Sequence, residues 1–387
     1  MTVRAYLDCN ASAPLRPEAR AAMVAALDLV GNPSSVHEEG RAARAAVETA
    51  RERVALLAGV TPADVVFTSG GSEAITAFIR SGYDAVVVAG IEHAAVHEAA
   101  AASGAQVIGL AVDPDGLVTA DALDAALEVA NPPERRVLVC LQLANNETGV
   151  IQPVAELARR ARAHGASVLC DAVQAAGRLP LDLDALGVDA LALSAHKIGG
   201  PKGVGALVLK PGLTPRPLVA GGGQERRRRG GTENVAGIAG FGAAAGAAQV
   251  GLADMARLAG LRDRCETIAR RAVPETVIVA RHAPRLANTT CLAIPGRPAE
   301  MTVIRLDLAG IAVSSGAACS SGKVGSSRVL AAMGVPREVA DGAIRVSFGW
   351  HSSETDLEAF STAWATLVRP IAGRSGSEVA EMRRKRT

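Results

Sequence analysis

Aromatic side chains are scarce: they form 2% of the 387 residues, with two Trp, two Tyr and five Phe. That scarcity excludes the interleaved aromatic and basic pattern on which single-stranded nucleic acids stack. Neither sign of charge is in excess, since 41 Lys and Arg face 39 Asp and Glu, so the global field selects no partner. Six cysteines stand at 9, 140, 170, 265, 291 and 319 without a Cys-x-x-Cys pair, a spacing that fits neither a zinc site nor a disulfide framework. Met1 to Asp8 hold no apolar core of a secretory signal, which makes a cytoplasmic protein the expectation. The longest uncharged stretch, Val235 to Ala253, is mostly Ala and Gly with a Gln inside. Such residues partition weakly into lipid, so a closely packed internal helix is expected there and no membrane partner.

What is there is an ordinary globular composition, 49% hydrophobic and 21% charged, in a chain long enough for a large and a smaller domain. Between Val65 and Cys170 apolar runs alternate with helical segments. Strands are expected at Val65–Thr68, Ala85–Val88, Gln106–Leu110, Val137–Leu141 and Val168–Cys170. Helices are expected at Glu73–Arg80, His93–Ala101, Ala120–Ala130 and Val154–His164. This alternation predicts an α/β fold with a mainly parallel sheet covered on both faces, whose ligand sits at the carboxyl ends of the strands. Past Ala253 the pattern changes to a long helix, short strands near 277–279, 291–294 and 344–348, and a final helix, read as a smaller α+β domain. The tail Arg383-Arg384-Lys385-Arg386 reads as a solvated end.

Lys197 closes the apolar run Leu191 to Leu193 within Ser194-Ala195-His196-Lys197, just before a glycine-rich loop. A lysine at a buried strand end, where it can lose its proton, is placed to form a Schiff base. Thr68-Ser69-Gly70-Gly71-Ser72-Glu73 lies between a strand and a helix, where backbone N–H groups converge on an anion; a plain Ser-capped helix is the alternative. Asp171 ends a strand and can pair with a protonated ring nitrogen or cap the next turn. His93 follows a strand and can stack on a flat ring or cap a helix. Asn145 to Gly149 bring amides to the same edge. Gly221 to Thr232, with four consecutive arginines, reads as a loop that clamps a small anion or reaches a second subunit. Cys319 stands apart from the other cysteines in a polar, glycine-punctuated stretch suited to a reactive thiolate. Arg345 is a rigid fork suited to a carboxylate, or a surface ion-pair partner.

Jointly, Tyr6-Leu7-Asp8, Gly31-Asn32-Pro33-Ser34-Ser35, Ser194-Ala195-His196-Lys197 and Ile344-Arg345-Val346-Ser347-Phe348-Gly349 resemble the cysteine desulfurases of the nitrogen-fixation and iron–sulfur-assembly type. These belong to the class V aminotransferase superfamily of pyridoxal phosphate enzymes. The resemblance implies fold type I: a large domain over 16–253 with a seven-stranded sheet, a smaller domain over 254–387, and an N-terminal segment 1–15 packed on the latter. It implies that Lys197 holds pyridoxal phosphate, Asp171 pairs with the ring nitrogen, Gln174 with the ring oxygen, and His93 stacks and handles protons. Gly71, Ser72, Ser194 and His196 would bind the phosphate, with Thr232 arriving from the other subunit of a homodimer. Asn146 and Arg345 would hold the carboxylate of L-cysteine, and Cys319 would take its sulfur as a persulfide for a sulfur-acceptor protein such as an iron–sulfur scaffold. Ser12 and Ala13 in place of two threonines, Gln224 in place of a histidine and Trp350 in place of an arginine depart from the pattern. Another member of the superfamily, a selenocysteine lyase or an aminotransferase, is the alternative.

Overall fold

The computed structural model describes residues 4–131, 134–316 and 327–367. In chain order the elements begin with β1 (Ala5–Tyr6), α1 (Pro17–Leu27), α2 (Glu38–Ala58), β2 (Val65–Thr68), α3 (Gly71–Ile79), β3 (Ala85–Ala89), α4 (Ala94–Ala101) and β4 (Gln106–Leu110). There follow α5 (Ala120–Ala130), β5 (Val137–Gln142), α6 (Val154–Ala163), β6 (Ser167–Asp171), α7 (Leu183–Leu186), β7 (Ala190–Ser194), β8 (Gly205–Leu209) and α8 (Val235–Gly251). The chain continues through α9 (Met255–Ala272), β9 (Val277–Ile278), β10 (Thr289–Ala293), α10 (Ala299–Leu308), β11 (Ile311–Ala312) and β12 (Ser314–Ser315). Past the next described residue, Ser327, come α11 (Arg328–Ala332), α12 (Arg337–Ala340), β13 (Ala343–Ser347) and α13 (Glu354–Thr366).

A seven-stranded sheet runs in the order β2-β8-β7-β6-β5-β3-β4. Only β8 is antiparallel to its neighbours. The strands lack apolar and polar alternation because both faces are covered. Val87, Val139 and Leu191 enter the core on one face, while Val86, Leu138 and Ala192 enter the core on the other. Register places Gln142 beside Asp171, Asp171 beside Ala192 and Ser194 beside Gly205. The polar residues that end β5, β6 and β7 therefore share one sheet edge. At Gly205 a Cβ would come within 2.6 Å of both the Gly70 backbone and the Leu193 carbonyl, so only glycine admits this approach.

The uncharged stretch forms α8, packed against α1 and α2. Its glycines are sites of contact: a Cβ on Gly242 would lie 2.4 Å from the Ala50 Cα. Among the described residues one helical run, Val235–Ala272, is long and apolar enough to cross a membrane by length and composition, and half of its apolar window is buried in the protein.

A four-stranded sheet, β12-β13-β10-β9, and the parallel pair β1–β11 frame a second core. Phe360 stacks on Trp364 there at 5.3 Å, and the buried Trp364 indole donates to the Ala269 carbonyl. Ala5 and Leu7 belong to this same core, so the N-terminal strand is sewn to residues three hundred positions later. The helix α1, with Pro17 at its first turn, and the antiparallel β8 were not evident in the alternation of apolar runs. Proline at a helix start and the run Gly205-Ala206-Leu207-Val208-Leu209 are the signals that mark them.

Candidate functional site

The carboxyl edge of the seven-stranded sheet opens into a cavity of about 540 Å³. Gly71, Ser72, His93, Asn146, Asp171, Gln174, Ser194, His196, Lys197 and Arg345 all line it. Thr232 does not: it is exposed and stands away from its own chain's cavity. Cys319 lies outside the described residues.

Lys197 is delivered by a single turn of 3-10 helix, residues 195–197, that follows β7 directly. Its Nζ donates to the carbonyls of Asn10 at 2.6 Å and Ala11 at 3.0 Å. The N-terminal segment thus holds the amine at the cavity wall. Asn10 is a residue the sequence reading passed over, although it joins both halves of the site. Its side-chain amide donates to the Asn146 carbonyl and to Thr289 Oγ1, and its backbone N–H donates to Ser347 Oγ. Its position beside Asp8 in a polar segment before Pro14 was the available signal.

Asp171 ends β6 and is 8% exposed. Its Oδ1 accepts from the Val173 N–H at 2.9 Å. Burial pushes the carboxyl above its ordinary range, while neighbouring His93 and Lys197 draw it back down. His93 caps α4, as one of its two readings expects, and also lines the cavity. Its Nδ1 accepts from the Ala95 N–H at 3.1 Å, so the neutral ring carries its proton on Nε2.

Where α3 abuts Val173 and Ser194 at this end of the cavity, Gly71 and Ser72 open the helix. The unpaired N–H groups of a helix's first turn favour an anion. Ser194, His196, Lys202 and Gly203 complete this end; the last two were not anticipated. Burial, reinforced by Lys197, Lys202 and Arg178, lowers the His196 pKa to about 4, so the ring enters the site neutral. Its Nδ1 lies 3.3 Å from Ser12 Oγ.

Arg345 is not the free fork expected from its position in β13. Its Nη2 pairs with Asp8 Oδ1 at 2.7 Å and its Nη1 donates to the Asn146 carbonyl at 3.0 Å. Its Nε is buried without a hydrogen-bond partner among the described residues. Gln174 is also engaged, donating from Nε2 to the Asn10 carbonyl at 3.0 Å.

The arginine-rich loop is anchored by a group that the sequence reading did not single out. Glu225 is 6% exposed and receives Arg51 through two hydrogen bonds of 2.7 and 2.9 Å, together with the Phe67 N–H. Glu225, Arg226 and Arg227 all have positive φ, at 45°, 56° and 65°, a left-handed run that side chains rarely adopt. Within the same loop Arg229 pairs with Glu73 in the first turn of α3, tying the loop to the anion-facing end of the cavity.

The five described cysteines are buried. Burial raises every one of their thiols, Cys9 and Cys291 to about 12 and Cys140, Cys170 and Cys265 well above the ordinary value. Among the described residues no cluster of His, Cys, Asp or Glu could hold a metal ion.

A lysine, a buried acid and an anion-facing helix end, gathered at the edge of a doubly covered sheet, define a cofactor-type α/β fold. The model of the class V aminotransferases matches residues 5–360, and the chain belongs to that family. It is 44% identical over 367 residues to a cysteine desulfurase of Cereibacter sphaeroides, covering 92% of this chain and 93% of that one. To the cysteine desulfurase IscS of Dictyoglomus turgidum it is 38% identical, with 91% of each chain covered. The crystal structure of a NifS-like protein from Rickettsia africae superposes with a TM-score of 0.86 at 34% identity, covering 93% of this chain and 98% of that one.

Proposed function

We propose that the protein is a cysteine desulfurase that uses pyridoxal phosphate to take sulfur from L-cysteine, releases L-alanine and holds the sulfur as a persulfide on Cys319. The observation that carries this reading is the shared cavity in which Lys197, Asp171 and His93 meet the first turn of α3. Relatives named as cysteine desulfurases over nine-tenths of the chain support it.

The cofactor's chemistry can be tested against the donor set. A phosphorylated pyridine aldehyde has an anionic end, an aldehyde and a basic ring nitrogen. Helix N–H groups with Ser72, Ser194 and His196, the Lys197 amine, and the Asp171 carboxylate stand around the cavity in matching variety. The residues fit the group. When bound, the cofactor supplies an electron sink for the substrate's α carbon.

The chain's own residues do the rest. Lys197 would hold the cofactor through its aldehyde, and the carbonyls of Asn10 and Ala11 orient its amine. Asp171 would pair with the protonated ring nitrogen, which would join His93 and Lys197 in opposing the rise that burial imposes on the carboxyl. His93 would stand over the ring and move protons through Nε2, since Nδ1 is committed to the helix cap. Gln174 donates to the ring oxygen. Asn146 and Arg345 receive the substrate carboxylate, Arg345 with its charge already half balanced by Asp8. Cys319 attacks as thiolate: its bond to the substrate sulfur forms as the carbon–sulfur bond breaks, the electron pair stays on carbon, and a proton there completes alanine. Thr232, exposed in its own chain, completes the phosphate site of a partner in a homodimer. Residues 16–253 form the cofactor-binding domain, 254–387 the smaller one, and 1–15 the segment that packs on it. The enzyme is cytoplasmic, and its persulfide serves an acceptor protein in iron–sulfur cluster assembly or thiolation.

The test is alanine and sulfide release from L-cysteine with a thiol reductant, parent against Cys319→Ala. Equal amounts of both products from the parent, and cofactor spectral changes without turnover in the variant, are expected. Alanine formed by Cys319→Ala at the parent's rate would remove Cys319 from its role. Inactivity of the parent on cysteine would move the substrate to selenocysteine or to the amino donors of an aminotransferase.

A further inference from the structure

Arg178 ends the turn that follows β6. It is 8% exposed, and its guanidinium donates to the Gln174 carbonyl at 2.6 Å, to Gln174 Oε1 at 2.6 Å and to the Lys197 carbonyl at 3.3 Å. None of these acceptors is a carboxylate, an unusual environment for an arginine so deeply buried. Burial lowers its pKa to about 10, which still leaves it charged at neutral pH. A cation held at such a cost against neutral oxygens calls for a reason, and the reason lies in the two residues it touches.

A guanidinium has donors and no acceptor. The Gln174 amide atom 2.6 Å from Nη1 is therefore its oxygen, and the nitrogen is on the other side. That nitrogen donates to the Asn10 carbonyl at 3.0 Å, a group that can only accept. Both neighbours thus dictate the same orientation of the amide. An amide nitrogen carries two hydrogens, and Asn10 takes one of them; Gln174 lines the cavity and has the second to offer there. The same Asn10 carbonyl receives the Lys197 amine, and the same guanidinium reaches the Lys197 carbonyl, so Arg178 ties both residues into one unit.

We propose that Arg178 is a positioning residue that locks Gln174 as a hydrogen-bond donor toward the cofactor's ring oxygen, an inference that rests on the cavity holding pyridoxal phosphate. Without the guanidinium the Asn10 carbonyl alone is left to orient the amide, and an amide that rotates presents an acceptor to an oxygen. Behind Arg178 lies a second cavity of about 160 Å³, bordered by Cys9, Arg16 and Trp350, so truncation of its side chain enlarges an existing space.

The experiment titrates cofactor-free protein with pyridoxal phosphate and records the dissociation constant and the absorption band across pH. The proteins are the parent, Arg178→Met, Arg178→Lys, Gln174→Ala and the Met/Ala double variant. Gln174→Ala and Arg178→Met are expected to shift the ionisation of the band alike and to weaken binding about 10-fold, the loss of one hydrogen bond to a charged group. The double variant is expected to match either single one, and Arg178→Lys, which keeps a donor-only cation, to move back toward the parent. Additive effects in the double variant, or a parent-like band in Arg178→Met beside a shifted one in Gln174→Ala, overturn the proposal. Should Arg178→Met not fold, Arg178→Lys decides: a band nearer the parent supports the lock, and one that coincides with Gln174→Ala overturns it. A parent protein that gains no visible band at all instead refutes the cofactor assignment.

Discussion

Glu147 and Ser327 meet at 2.5 Å, carboxylate oxygen against hydroxyl. The same hydroxyl oxygen accepts the Leu330 N–H and caps α11, so its proton is the one given to Glu147. Glu147 follows Asn146 at the cavity wall, and Ser327 is the described residue that follows the Cys319 stretch. The contact therefore connects the proposed carboxylate site to the first described residue after the proposed nucleophile, Cys319.

That contact has a pH signature. Burial raises the Glu147 carboxyl to about 7, with Ser327, Arg345 and His93 opposing the rise. A carboxyl whose folded pKa lies above its unfolded one stabilises the fold below the unfolded value, and that contribution fades as pH climbs through the folded one. The cofactor-free protein should therefore lose about 3 kcal/mol between pH 4.5 and 8 from this group alone. Urea midpoints across that range should fall more steeply for the parent than for Glu147→Gln, which cannot ionise. Parallel slopes for the two proteins would show that Glu147 does not titrate in this window.

Thiol chemistry should separate Cys319, the proposed nucleophile, from its companions. A buried thiol with a raised pKa offers neither access nor thiolate, and this describes Cys9, Cys140, Cys170, Cys265 and Cys291. Brief iodoacetamide treatment of the native protein at neutral pH should add a single carboxamidomethyl group, as read by intact mass. Cys319→Ala should add none on the same timescale. A second adduct formed equally fast would place another cysteine in reach of solvent and reopen the choice of nucleophile.

Arg51 and Glu225 anchor the loop that carries Thr232. Their side chains are 6% and 2% exposed, and Arg51 also sits over the Phe67 ring at 4.7 Å. Removing Glu225 leaves the buried Arg51 with only the partly exposed Glu48 as its carboxylate partner, so Glu225→Ala should destabilise by about 3 kcal/mol. Pairing it with Arg51→Met should cost less than the sum of the single changes, because neither orphan then remains. Additive losses in thermal melts would mean that the pair is not the anchor.

The parts of this architecture legible in the sequence are those fixed by neighbours along the chain. Asp171 and Lys197 stand at or just beyond the ends of apolar strands, and a parallel sheet brings all such ends to one edge. His93 and Ser72 begin helices that follow strands, where turn composition and position are visible in a few residues. Glu147 and Glu225 act through partners that only the folded chain brings near, 180 and 174 positions away, and Arg178 joins Gln174, four positions before it, to Lys197, 19 positions after it. No local pattern marks them, and the arginine run beside Glu225 drew attention to charge where the buried carboxylate holds the backbone. Arg345 shows the limit from the other side: its residue type and strand were clear, while its engagement with Asp8 came from an N-terminal segment that crosses the whole molecule.

That crossing sets an order of events during synthesis. The peptide that holds the Lys197 amine is made first, yet β1 finds its parallel partner β11 only after residue 312 has appeared, and Asp8 meets Arg345 later still. A ribosome carrying the finished seven-stranded sheet thus holds an N-terminal segment that can already reach His196 and Gly199 through Ala13 and Arg16, while its β1 still lacks a partner strand. A fusion placed ahead of Ala5 therefore adds its bulk next to a strand that is seated only when the smaller core assembles.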